Sequence, residues 1–291
     1  MALRRIIIIF LYLPFLISNA ILRIFGLNRD LVRIILMHDI PVGKHEIFKS
    51  QIEYISKKWN FITTKELEEH YSGKKKLKGR NVLLTFDDGF HSNKVIAEKI
   101  LDPLGVKALF FVVGNFIKQE TQEDQQNFIK DSLYPDWRGH DLPDNFDEMK
   151  SMDIEDLKIL LNNGHSLGFH TTNHANLATL STRQGLKKEI IDGAIELEKE
   201  LDLKIKHFSF GFGNVEFFSK DALKVAHDHF EFIHTGMRGN NKINTPIWAL
   251  RRDTISLDDS HLEIASFLEG SADRRYSNAF KKYESWLKDA I

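Results

Sequence analysis

The sequence predicts an α/β barrel of seven parallel strands, and three observations carry that prediction. Short apolar runs rich in β-branched and aromatic residues alternate with segments of helical period. Gly, Asp or Asn bounds most of the runs, as expected where strands end in turns. The composition, 42% hydrophobic and 28% charged with 22 Phe in 291 residues, suffices for one large buried core.

Taken in order, the expected strands are Ile34–His38, Val82–Phe86, Ala108–Val113, Ser166–His170, His207–Phe210, Phe230–His234 and Trp248–Ile255. Between them, Ile47–Trp59 and Asn93–Leu101 read as helices. Asp153–Asn162 puts Ile154, Leu157, Leu160 and Leu161 on one face before Gly164 stops it. Leu186, Ile190, Ala194, Leu197 and Leu201 form the cleanest helical stripe, and core packing is enough to explain it. Lys118–Met149 breaks the rhythm, being polar and rich in Gln and Asp, with Tyr134, Pro135, Trp137 and Pro143 scattered through it. It reads as a loop inserted at 118–149, either a lid whose aromatic side chains stack on a sugar ring or a mobile surface insertion. No internal repeat is visible, and Lys74-Lys75-Lys76 reads as a solvated turn.

The chain divides into an N-terminal hydrophobic signal or anchor segment, 1–30, and a barrel domain, 31–291. Arg4 and Arg5 precede an apolar run from Ile6 to Ile17, and Ser18-Asn19-Ala20 resembles a signal-peptidase site. Export follows from that reading. Apolar character continues through Ile21, Leu22, Ile24 and Phe25, so the segment also suits membrane contact through residues 6–25 at the cell envelope. The cytoplasmic alternative is an amphipathic helix covering the barrel floor.

With 40 Lys+Arg against 41 Asp+Glu the net charge is −1, which argues against nucleic acid as a partner. The absence of Cys excludes thiol nucleophiles, disulfides and thiolate-bound zinc. Hydrolytic chemistry then rests on Asp, Glu, His, Ser or a metal held by N and O ligands.

Two motifs supply such groups. Thr85-Phe86-Asp87-Asp88-Gly89 follows an apolar run and sets two adjacent carboxylates at a strand's C-terminal end, the catalytic face of parallel α/β barrels. One can ligate a metal while the other faces water, since successive side chains diverge and Gly89 permits a sharp turn. By itself Asp-Asp-Gly is a common turn. Leu167-Gly168-Phe169-His170-Thr171-Thr172-Asn173-His174 ends another expected strand, with His170 and His174 spaced to converge on one ion if the chain turns between them. Together with Asp88 they form a His-His-Asp set with open positions for water and substrate.

At these residues the sequence resembles the polysaccharide deacetylases of the NodB-homology type, carbohydrate esterase family 4, over 34–256. Phe110-Phe111-Val112-Val113-Gly114 and Gly164-His165-Ser166-Leu167-Gly168 add to the resemblance. It implies a distorted (β/α)7 barrel and a hydrolase that removes N-acetyl groups from amino sugars of a polysaccharide or glycoconjugate. Asp87 matches the family's catalytic base, and Asp88, His170 and His174 match its ligands for a divalent metal such as zinc. The family's acid, a His in Leu-x-His, usually lies near the C-terminus. Here Leu36-Met37-His38 offers it at the start, which resembles the circularly permuted branch containing poly-N-acetylglucosamine deacetylases. His38 is therefore the expected acid and His234 the reserve. The third motif departs from the pattern, with Gly211 in Phe208-Ser209-Phe210-Gly211-Phe212-Gly213 where Pro is expected. No Asp-Trp motif is present, and either Arg251 or Arg252 can supply the Arg that steadies the base. Alternatives are a non-catalytic glycan-binding barrel and a hydrolase of non-glycan amides or esters.

Overall fold

A computed structural model describes Tyr12, residues 14–22, 24, 25, 30–138 and 140–290. Arg4, Arg5, the start of the apolar run and Arg23 lie outside the described residues. The strands are β1 Leu31–Met37, β2 Asn60–Phe61, β3 Arg80–Phe86, β4 Ala108–Val112, β5 Ser166–Phe169, β6 His207–Ser209, β7 Phe232–His234 and β8 Asp253–Thr254. All pair in parallel in the order β7-β6-β5-β4-β3-β1-β8, with short β2 added to β3. A bridge from His234 to Leu250 brings the chain ahead of β8 against β7, so the sheet curls nearly shut as a distorted (β/α)7 barrel.

Two apolar clusters follow from strand alternation. Val32, Ile34, Leu83, Leu109, Phe111, Phe232 and Leu250 fill the barrel, with Ile62, Leu67 and Leu77 plugging its floor. Ile35, Met37, Leu84, Phe86, Phe110 and Val112 face outward against the helices. The inward parity of Leu83 continues through Thr85 to Asp87, which carries a carboxylate to the top of the interior.

Most expected elements form near their expected bounds, and the exceptions have local causes. Trp248–Ile255 is not one strand: Ile247–Ala249 makes a single helical turn, and only Asp253–Thr254 pairs with β1. The chain changes partner there, with Leu250 bonding to β7 and Asp253 lying against β1, so no continuous ladder can form. Phe230 does not begin β7, because its N–H closes the preceding helix on the Ala226 carbonyl at 2.9 Å. The segment 118–149 is a folded excursion. It contains a helix, Gln122–Phe128, capped by Thr121, and further helical turns at Ile129–Leu133, Pro135–Trp137 and Phe146–Glu148. Its sparse apolar residues, among them Ile129, Leu133, Phe146 and Met149, close over Phe90, Val113 and Phe116. The 186–201 stripe packs as expected, with Leu186, Ile190, Ala194 and Leu197 buried.

Residues 14–22 are helical, and Asn19 is buried with its amide donating to the Glu269 carbonyl at 3.1 Å and carboxylate at 3.0 Å. Ile17, Ile21, Ile24 and Phe25 are exposed. Among the described residues, no helix is long and apolar enough to cross a membrane.

Candidate metal centre

The C-terminal ends of β1, β3 and β5 meet at a cavity of about 380 Å³ lined by His38, Asp87, Asp88, His170 and His174, so the structure brings all five expected site residues together. The backbone is bent to achieve this. Asp88 (φ 76°), Thr171 (φ 68°) and His174 (φ 57°) all occupy the left-handed region, costly above all for β-branched Thr171. The conformation at the second motif is held by the His174 N–H donating to Thr171 Oγ1 at 2.8 Å and by Thr172, whose hydroxyl donates to the Lys188 carbonyl at 2.8 Å.

One ligand atom each from Asp88, His170 and His174 lie within 4.8 Å of one another. Asp88 Oδ1 is 3.6 Å from His170 Nε2 and 3.7 Å from His174 Nε2. Ligand atoms at about 2.1 Å from a tetrahedral zinc are separated by about 3.4 Å, so the spacing matches one coordination sphere. Both imidazoles are fixed in tautomer. His170 Nδ1 donates to the Ser209 carbonyl at 2.9 Å and His174 Nδ1 to the Ser132 carbonyl at 3.1 Å. A carbonyl only accepts, so each Nε2 is left bare; that of His174 faces Asp88, and that of His170 lies 3.6 Å from both Asp88 Oδ1 and Asp87 Oδ2.

The electrostatics suit a cation. Burial pulls His170 down to about 3 and also lowers His174, keeping both neutral and able to ligate. Burial likewise pushes Asp88 up to about 6, and its Oδ1 is buried with no hydrogen-bond partner. An orphaned buried carboxylate oxygen beside two bare imidazole nitrogens is a donor set that a divalent ion satisfies.

Asp87 sits differently. Burial opposes its ionisation, yet Arg252 and His170 hold it below the usual carboxylate range. Arg252 grips it bidentately, Nη1 to Oδ1 at 2.6 Å and Nη2 to Oδ2 at 2.8 Å, which decides between the two candidate arginines. Ser209 Oγ accepts from Arg252 Nη2 at 2.5 Å, so this one residue of the third motif touches both the Asp87–Arg252 pair and His170. Gly211 is accounted for as well: a Cβ there would meet the His174 ring at 3.2 Å. His234 is fully buried away from the cavity, with Nε2 at 3.0 Å from His207 Nδ1. A second cavity, about 610 Å³ and lined by Glu68, Lys206 and Trp248, contains none of the five.

Sequence reasoning missed Ser132 and Ser209. Both ligand contacts come from backbone carbonyls, which every residue type offers, so no motif signals them. Tyr134 and Trp137 of the 118–149 segment line the cavity; Tyr134 stacks on Trp137 at 4.2 Å and donates its hydroxyl to Asp88 Oδ2 at 3.3 Å.

The polysaccharide deacetylase family matches residues 74–229 of the chain, which therefore belongs to that family, hydrolases of the N-acetyl amide bond in sugars. No curated protein matches. Among solved structures, the Streptococcus pyogenes deacetylase PplD in complex with acetate superposes with a TM-score of 0.65 at 16% identity, covering 83% of this chain and 99% of that one. IcaB from Ammonifex degensii gives 0.62 at 20% identity, covering 83% and 98%. A de-N-acetylase from Aggregatibacter actinomycetemcomitans gives 0.63 at 16% identity, covering 82% and 100%. At these identities the likeness concerns the fold.

Proposed function

We propose that this chain hydrolyses N-acetyl groups on amino-sugar residues of a polysaccharide or glycoconjugate, using a divalent ion such as zinc held by Asp88, His170 and His174. The observation that carries the reading is the unpartnered Asp88 Oδ1, 3.6 and 3.7 Å from two bare imidazole nitrogens, beside a carboxylate clamped by Arg252. The ion supplies Lewis acidity, easing ionisation of water and polarising the acetyl carbonyl. Asp87 acts as general base: the guanidinium keeps it ionised and fixes its plane, and each oxygen retains lone pairs for an incoming proton. His38, lining the same cavity, gives its proton to the departing amine. The position of β1 between β3 and β8 supports a permuted arrangement, in which the first strand carries the acid that the family usually places near the C-terminus.

Export or membrane anchoring is part of the proposal, supported by the exposed apolar face of Ile17, Ile21, Ile24 and Phe25. Cell fractionation tests it, and recovery solely in the cytosol removes it.

The central experiment measures acetate release from chito-oligomers, peptidoglycan fragments and acetylated xylan, with and without chelator and added metal. Release from an N-acetylated oligomer, lost on chelation and restored by zinc, is expected. Asp87→Asn keeps the metal but loses on the order of 10²–10⁴-fold in turnover. His174→Ala loses both. Near wild-type turnover by Asp87→Asn removes the base assignment, and activity on xylan alone points to ester hydrolysis.

A further inference from the structure

Arg251 stands beside the clamp residue in sequence yet takes no part in it. Its guanidinium lies 3.4 Å from the centroid of the Phe280 ring. Gly239 makes room for it, since a Cβ there would collide with Arg251 Cδ. Its Nε is buried without a hydrogen-bond partner. The residue faces a cleft of about 290 Å³ that also contains Arg238, Arg274 and Lys281, with Asp273 and Glu284 the acidic groups. Asp273 is already occupied, accepting from Arg33 Nη1 at 3.1 Å and Nη2 at 3.0 Å. Arg238 is built in, its side chain 10% exposed and its Nη1 without a hydrogen bond, 3.6 Å from Asp253. Among the described residues, Arg251, Arg274 and Lys281 form no ion pair. Three cations without an ion pair, beside Arg238 that Asp253 already engages, thus face one uncommitted carboxylate, Glu284.

The cleft adjoins the candidate metal centre. Tyr276 lines both cavities, and Arg238 Nη2 donates to the carbonyl of Thr254, itself on the wall of the site.

We propose that this cleft is an anion subsite, taking a phosphate or carboxylate borne by the glycan about one sugar away from the reacting N-acetyl group; the assignment rests on the deacetylase reading above. Guanidinium groups suit either oxyanion, since both accept paired hydrogen bonds. The subsite makes the substrate an acidic glycan and sets specificity through KM, because these contacts lie away from the reacting atoms.

The test uses the full chain loaded with zinc and three N-acetylated oligosaccharides of equal length: neutral, carrying a phosphate monoester, and carrying a uronic acid. Wild type is expected to show a lower KM for one anionic substrate, identifying the group, with the advantage shrinking as salt rises. Arg274→Gln/Lys281→Gln, both at exposed positions, is expected to raise that KM about tenfold while leaving the neutral substrate unchanged. Arg251→Gln should act in the same direction. Equal kcat/KM on all three substrates, or equal losses on all three in the double variant, overturns the subsite. If wild type turns over none of them, the deacetylase reading fails and calorimetric binding of the two anionic oligosaccharides decides the subsite alone. Tighter binding than to the neutral one, weakened in the double variant, upholds it, and equal binding sinks it.

Discussion

Arg252 shows how much a single side chain carries. Fully buried, it binds both oxygens of Asp87, the Thr85 and Ser209 hydroxyls and the Thr235 carbonyl, so it serves the fold and the proposed base together. Removing one partner of a buried pair strands the other. Arg252→Ala is therefore expected to cost about 3–5 kcal/mol, measured by urea unfolding, and a cost under about 1 kcal/mol contradicts the clamp. Tyr134 works through Asp88, the proposed ligand: its hydroxyl holds Oδ2, which leaves Oδ1 open to an ion. Tyr134→Phe is expected to weaken zinc binding by about tenfold, read by competition with a chromogenic chelator, as partners of ligand residues typically do. Unchanged affinity shows that the contact orients nothing.

At the scale of elements, the helix Thr64–Tyr71 closes the barrel floor and is specified locally. Thr63 and Glu66 form a reciprocal capping box, and Leu67 enters the interior cluster. Thr63→Ala should cost about 1 kcal/mol in the same unfolding assay. Glu68 on this helix reaches His207 in β6 at 3.3 Å and Lys206 at 2.9 Å. Its hydrogen bond with His207, then that with Lys206, takes it from 4.5 down to about 2. A carboxylate depressed in the folded state stabilises fully above its unfolded value and loses that contribution as pH falls through the folded one. Wild type should thus exceed Glu68→Gln by on the order of 1 kcal/mol at pH 7, after allowance for solvent screening, and the gap should close between about pH 4.5 and pH 2. A gap that persists at pH 2 contradicts the ion-pair origin.

Across the whole molecule, the barrel is a packed core topped by a polar layer. Gly168 in β5 shows the tightness: a Cβ there would collide with the Phe111 ring, which fills the interior beneath the imidazole of His170. Gly168→Ala should cost about 1–3 kcal/mol and lower the melting temperature, with activity falling as His170 shifts. A variant as stable and active as wild type shows that the interior yields.

The sequence by itself determined the alternation of elements, the strand-end motifs and five residues that line one cavity, because strand period, helix period and ligand chemistry are local properties of residue type. It left the helical turns within 118–149 unread, because that segment hides its few apolar residues among polar ones and periodicity is silent where spacing is irregular. Every residue of β1 is buried, so no polarity pattern could say which of its faces lines the barrel. Only the tertiary structure chose Arg252 over Arg251, supplied the Ser132 and Ser209 carbonyls, and set Tyr134 on Asp88. Those choices depend on distances between segments far apart in the chain, and such distances exist only once the barrel has curled.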